Sequence, residues 1–94
     1  MDPEDQKLVT LARSARARGT GAEGAAVRDE IGRTYAAAAV AKGDLSLSAL
    51  RLAVAMALSS GASRLEAAAV VTSGEVADAD AALLDGAPLH VISQ

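Results

Sequence analysis

The side chains that could act as nucleophiles, bases or metal ligands form a sparse set: no cysteine, one histidine at His90, and twelve acidic residues, four of them between Glu75 and Asp85. Without thiolates, and with a single imidazole, the chain cannot build a thiolate zinc site. Ser48, Asp80 and His90 together hold the ingredients of a nucleophile, an acid and a base. No nucleophile-elbow glycine pattern surrounds Ser48, however, and a hydroxyl in the first turn of a helix ordinarily satisfies free N–H groups. His90 lies between Leu89 and Val91 in an apolar run, which reads as a surface or edge histidine facing away from its neighbours. Glu75, Asp78, Asp80 and Asp85 are hard oxygen donors, but their spacing is not that of an EF-hand loop. Acids around a helix start are ordinary dipole chemistry. The expectation is a chain with no metal, no cofactor and no catalytic residue of its own.

The elements that position these residues are legible from spacing. Asp2 suits a helix cap, Pro3 the first helical position, and Glu4 and Asp5 the positive end of the dipole. Leu8, Leu11, Ala12 and Ala15 recur at helical spacing, with Val9 widening the stripe. Arg13, Arg16 and Arg18 form a solvated last turn, and Gly19 is a natural stop. Thr20 to Glu23 reads as a linker, and Gly24 to Arg28 as a strand. Asp29 opening a turn that Gly32 closes is a hairpin signal. Arg33 to Val40 is then the returning strand, although Ala36 to Ala39 has poor β propensity.

Lys42-Gly43-Asp44 breaks the pattern, and a second helix is expected from Leu47 to Ser60 with Ser46 as its cap. Its apolar residues fall on all sides, which predicts a buried helix. Leu65 to Val71 reads as a buried strand, Asp78 to Leu84 as a short helix, and Pro88 to Ile92 as a final strand. The order is α-β-β-α-β-α-β. Alternation after the hairpin predicts parallel crossovers and a mixed four-stranded sheet between helices, an α/β fold forming one domain over residues 1–94.

Composition narrows the partners. There is no Phe or Trp, one Tyr, and about a quarter of the residues are Ala. Such a core gains little apolar area per residue at ~25 cal/mol per Å², which points to close backbone packing completed by a partner subunit. The formal net charge is −3. Residues 1–47 carry seven Lys+Arg against seven Asp+Glu, and residues 48–94 two against five. That balance argues against nucleic acid or an anionic membrane as partner. The longest apolar runs, 35–41 and 52–58, are seven residues each, far below the ~18 needed to span a bilayer, and a cytoplasmic protein is expected.

With the elements in this order, the chain resembles the cytidine deaminase family. Gly24-Ala-Ala-Val27, the turn ending Gly32-Arg33, and Thr34-Tyr35 look like that family's first hairpin. Ser48-Ala49-Leu50-Arg51 falls where the family carries Cys-Ala-Glu-Arg at the start of its central helix. Ala67-Ala-Ala-Val-Val71 is similar to the strand that follows. Val76-Ala77-Asp78-Ala79-Asp80-Ala81-Ala82 lies where the family has Pro-Cys-Gly-x-Cys-Arg-Gln. The likeness runs over about residues 4–93 and implies a three-layer α/β/α sandwich, C-terminally shortened by one strand and one helix.

The resemblance also implies a chemistry. Zinc held by three thiolates lowers the pKa of a bound water, and a nearby Glu, not itself a ligand, shuttles protons. Carried over by position, the ligands would be Ser48, Ala77 and Asp80, and the shuttle Leu50. The family's ribose-binding Asn-Val-Glu-Asn would fall on Ala39-Val40-Ala41-Lys42. These substitutions lead to the expectation of a non-catalytic protein, not an enzyme, that lacks zinc and acts through another protein or through self-assembly. The resemblance further implies a homo-oligomer, dimer or tetramer, packed through the Ala-rich central helix. A nucleoside or small-ligand module in the old pocket, and a hydrolase active only with a partner subunit, are the other readings.

Overall fold

Asp2 begins the first helix as expected: its carboxylate accepts the Glu4 N–H at 2.7 Å, and α1 (Pro3–Arg18) follows with Pro3 in its first turn. The computed structural model describes all 94 residues. Leu8, Val9, Ala12 and Ala15 form the buried stripe of α1. Gly19 ends the helix, yet its φ is −94°, so left-handed backbone is not the reason for glycine there. A Cβ at this position would come within 2.5 Å of the Ala38 side chain. Gly24 is tighter still, because a Cβ on it would collide with the Ala12 carbonyl and the Arg16 amide of α1. The helix backbone therefore lies directly on the strand below.

That strand is β1 (Glu23–Asp29), paired antiparallel with β2 (Thr34–Ala38) in the register Val27 to Tyr35 and Ala25 to Ala37. The connecting turn is the one read from Asp29 and Gly32. Asp29 accepts the N–H groups of Ile31 at 3.1 Å and Arg33 at 2.9 Å through its side chain. Its carbonyl accepts the Gly32 N–H at 3.1 Å, and Gly32 takes φ +87°, the left-handed conformation that favours glycine.

The next segment departs from the sequence-based expectation. The second strand ends at Ala38 rather than Val40, and a separate ribbon follows: β3 (Val40–Lys42) paired antiparallel with β4 (Leu45–Leu47). Lys42-Gly43-Asp44 is the reversal between them, with Gly43 at φ +59°. The ribbon takes up Leu45 to Leu47 in a strand, so α2 runs from Ala49 to Ser59 and its cap is Ser48, not Ser46. Ser48 Oγ accepts the Arg51 N–H at 3.1 Å.

The remaining elements follow the predicted order: β5 (Leu65–Thr72), α3 (Asp78–Ala81) extended by a 3-10 turn at Ala82–Leu84, and β6 (Leu89–Ser93). The sheet order is β2-β1-β5-β6, with β1 antiparallel to both neighbours and β5 parallel to β6. Since β2 and β5 are both antiparallel to β1, they run the same way, and α2 carries the chain across β1 between them. The mixed four-stranded sheet and the parallel crossovers are as predicted.

Alternation along the central strands divides the core into two. Ala26, Ala67, Ala69 and Val71 face Leu8, Val9 and Ala12 of α1. Ala25, Val27, Ala68 and Val70 face Leu50, Ala53, Val54 and Ala57 of α2, with Leu84 beside them. This is a three-layer α/β/α sandwich. The prediction that α2 is buried all round is corrected: Met56 is 37% and Leu58 56% exposed. The helix has no polar face, yet only one side of it meets the sheet. No helix is long and apolar enough to cross a membrane.

Candidate functional site at the facing starts of two helices

The carried-over positions lie on the α2 side of the sheet, where α2 and α3 begin. Ser48 has extended backbone, φ −65° and ψ 158°, and turns its hydroxyl back onto the helix it caps. One residue on, the Ala49 N–H donates to Glu23 Oε1 at 2.9 Å. Glu23, at the first position of β1, thus satisfies a free amide of α2 and places negative charge at its positive end. Nothing in the sequence marked Glu23, because its partner lies twenty-six positions away.

Arg51 connects the two helix starts. Its Nε donates to Asp80 Oδ1 at 2.9 Å, from a side chain partly open to solvent onto a carboxylate that is mostly buried. Ala77 precedes α3 in extended conformation with no side-chain cap, and its carbonyl accepts the N–H groups of Asp80 and Ala81, each at 3.0 Å. Leu50 points the other way, into the core, and is 2% exposed. The Arg51–Asp80 bridge thus ties the turn holding Ser48 and Leu50 to the turn after Ala77. The carried-over positions Ser48, Ala77 and Asp80 thus lie at the facing starts of α2 and α3.

The donor set there does not fit a zinc ion. Ala77 offers no side-chain donor, Ser48 Oγ is committed to its helix, and Asp80 is committed to Arg51. No three His, Cys, Asp or Glu side chains gather anywhere as a metal-binding group. Ala39 to Lys42 forms the connection into β3 and the strand itself, in the ribbon rather than in the second strand of the sheet.

His90 does not join Ser48 and Asp80. It pairs in register with Ala69, whose side chain faces α1, and its Nε2 lies 2.8 Å from Asp5 Oδ2. Arg28 Nη2 reaches the other oxygen of Asp5 at 3.0 Å, and its Nε lies 3.6 Å from Glu66 Oε1. The histidine bond holds the Asp5 carboxyl below its ordinary value; burial opposes that, and Arg28 adds to it. The cluster pins α1 to β1, β5 and β6. The Ser48–Asp80–His90 set is thereby divided between opposite faces of the sheet.

A shallow groove of about 190 Å³ runs beside the far end of α2, lined by Val54, Leu58, Leu65, Leu83 and Leu84 with Arg64 and Asp85 at its rim. Ligand sites usually enclose ~300 Å³ or more, so this groove falls short of a nucleoside pocket, and it lies away from Ser48.

The comparisons with known proteins follow the same lines. A model of the family described as cytidine deaminase-like matches residues 1–92. The crystal structure of cytidine deaminase from Burkholderia pseudomallei is similar at 27% identity, with a TM-score of 0.67, over 85% of this chain and 72% of that one. No curated protein sequence matches. These matches correct the expectation that the chain is not an enzyme. Both point to an enzyme family, and replaced side chains at four positions do not by themselves demonstrate a loss of catalysis.

Proposed function

The chain belongs to the cytidine deaminase-like family, and from that premise we propose that it works as a subunit of a cytidine deaminase-type assembly. In this reading the subunit associates through the outer face of α2, and hydrolysis is a property of the assembly, drawing on groups from a partner chain at the Ser48–Asp80 end. The observation that carries the proposal is the exposed side of α2. Met56 and Leu58 stand open on a helix whose only charged residue is Arg51, in its first turn, and Leu83 lies open beside the same groove. Exposed apolar surface of this kind is characteristic of protein contacts. Ala55 is exposed on the same side of the helix, and its small side chain allows a second helix to come close.

Light scattering on the whole chain at tens of micromolar, beside Leu58→Glu, tests the assembly. The expected result is a species larger than the monomer that Leu58→Glu returns to monomer, and a monomeric wild type sinks the proposal. Ammonia release from cytidine, measured for the chain alone and mixed with an active deaminase of the family, tests the shared chemistry. Activity of the mixture above that of the deaminase alone is expected.

A further inference from the structure

The ribbon of β3 and β4 has little to hold it. Its strands are three residues each, and neither rests on the sheet or on a helix beyond isolated contacts. None of Val40, Leu45 and Leu47 belongs to either half of the core or packs against it. A two-stranded ribbon standing alone is marginally stable at best in water. Its cross-strand pairs are Val40 with Leu47 and Lys42 with Leu45, and residues two apart in a strand share a face. One face of the ribbon therefore carries Val40, Leu47, Leu45 and the stem of Lys42, and the other carries Ala41 and Ser46. Cover on the apolar face fades outward. Val40 and Leu47 are half-buried at its base, while Leu45 is 54% exposed near its tip.

The start of α2 supplies matching surface. Ser48 is the helix cap, so Leu47 immediately precedes the cap and Leu52 is the fourth helical residue. Those are the two positions that a hydrophobic staple joins, fixing the angle at which the chain enters a helix. Leu52 is half-buried, and Ala55 and Met56, three and four residues on, lie exposed on the same side of the helix. The lengths agree as well. Leu45 lies three residues before Ser48, a reach of about 10 Å in a strand. Ala55 lies seven residues after Ser48, also about 10 Å along a helix. A ribbon folded back at Ser48 thus sets Leu45 beside Ala55 and Met56.

We propose that the β3–β4 ribbon is a strap that swings about Ala39 and Ser48 and closes its apolar face over Leu52, Ala55 and Met56. The structure shows it open, with Leu45 and Met56 both exposed. The staple positions select this chain's own ribbon as the cover. Leu47 is tethered at the base of the stripe that Leu52 begins, so the rest of the apolar face meets that stripe at high effective concentration. Closure depends on this chain alone. Its regulatory consequence rests on the α2 reading above: the closed strap covers part of the face through which the subunit associates, so assembly proceeds from the open form. A partner that binds α2 only with Met56 uncovered has the differential affinity needed to shift that equilibrium.

The chain has no cysteine, so a pair introduced into the full chain reports proximity without background. Leu45→Cys with Ala55→Cys replaces two exposed side chains, and a disulfide between them needs Cα atoms within ~7 Å. Mild oxidation of dilute protein, read by mass spectrometry as a bond within one chain, is the measurement. It is expected to proceed at least ~10-fold faster than for Ala41→Cys with Ala55→Cys, which places the thiol on the other face of the ribbon. Equal rates overturn the strap. So does faster bonding of Leu45→Cys with Ala77→Cys, which sends the ribbon over the start of α3 instead. Light scattering then compares the oxidised and reduced forms of the Leu45→Cys, Ala55→Cys chain. The oxidised form is expected to stay monomeric where the reduced form associates, and association indifferent to oxidation overturns the regulatory role. If the wild type itself is monomeric, the α2 reading and the regulatory role fail together, while the crosslinking rates still decide the strap.

Discussion

The two ends of α2 are both framed by a buried aspartate, and the two are used differently. Beyond the C-terminal end, Asp29 is fully buried. Besides the Ile31 and Arg33 amides, it accepts Arg33 Nε at 2.8 Å and the Tyr35 hydroxyl at 3.0 Å. The adjoining Glu30 accepts both the amide and the hydroxyl of Ser63, in the loop that leaves the helix. Every bond to Asp29 comes from within six residues of it. At the N-terminal end, Asp80 has one charged partner, Arg51, twenty-nine positions away and partly in solvent. A carboxylate saturated by local donors holds a turn. One held by a single long-range cation ties two elements together loosely, at the end where Ser48, Ala77 and Asp80 lie.

This contrast can be sharpened by substitution. The largest effect is expected at the N-terminal end but from packing rather than polarity. Leu50→Ala removes a buried core side chain and should cost about 2–5 kcal/mol of unfolding free energy in urea titration. A cost below ~1 kcal/mol would show that Leu50 is not part of the core as described.

At the other end, Asp29 governs pH dependence. Burial alone would raise its carboxyl, but bonds from the Arg33 amide and guanidinium, the Tyr35 hydroxyl and the Ile31 amide outweigh burial and hold it below the ordinary carboxylate value. A carboxyl depressed by folding contributes stability that is complete above its unfolded value. That contribution is lost as pH falls through the folded value. Tm should therefore decline as pH drops from about 5 toward 2, and Asp29→Asn should lower Tm at pH 7 and flatten that decline. Asp5, lowered chiefly by His90, adds a slope of the same sign, so part of the decline persists in the variant. An unchanged slope in Asp29→Asn would break the assignment. The smallest effect is expected for Asp80→Asn. It disrupts an ion pair whose arginine is partly open to solvent, and pairs screened by solvent are worth about 0–1 kcal/mol. A larger loss in thermal or urea unfolding would mean that the two ends of α2 are alike after all.

Much of this arrangement could be read from the sequence because it rests on local chemistry. The Asp2 cap, the Asp29 turn and the buried strand from Leu65 to Val71 each depend on neighbours within a few positions, and all three stand. The ribbon of β3 and β4 escaped because its strands are three residues long, shorter than an alternation pattern needs to be recognised. Missing the ribbon moved the helix cap from Ser48 to Ser46, since both serines precede apolar residues and only the ribbon distinguishes them. The four carried-over positions were legible through resemblance, not through their own chemistry: Ser48, Leu50, Ala77 and Asp80 have no pattern that would mark them as one site. The pairs Glu23 with Ala49, Arg51 with Asp80, and Asp5 with His90 join distant segments. Charge alone does not reveal which acid meets which base across a sheet. The exposure of Leu58 was hidden for a related reason: a helix apolar on every side looks the same whether the sheet covers one face or a partner covers the other.

The collision that a side chain on Gly24 would cause has a consequence for how this small protein fills itself. With no Phe or Trp to span a wide gap between layers, the gap itself is narrowed until methyl groups suffice. Main chain touches main chain where β1 passes under α1, and that point acts as a spacer of fixed thickness for the whole upper layer. An increase in side-chain size at Gly24 thus acts as a lever. It would lift α1 along its length, pulling Leu8, Val9 and Ala12 from the sheet and drawing Asp5 away from His90, at the other end of the helix.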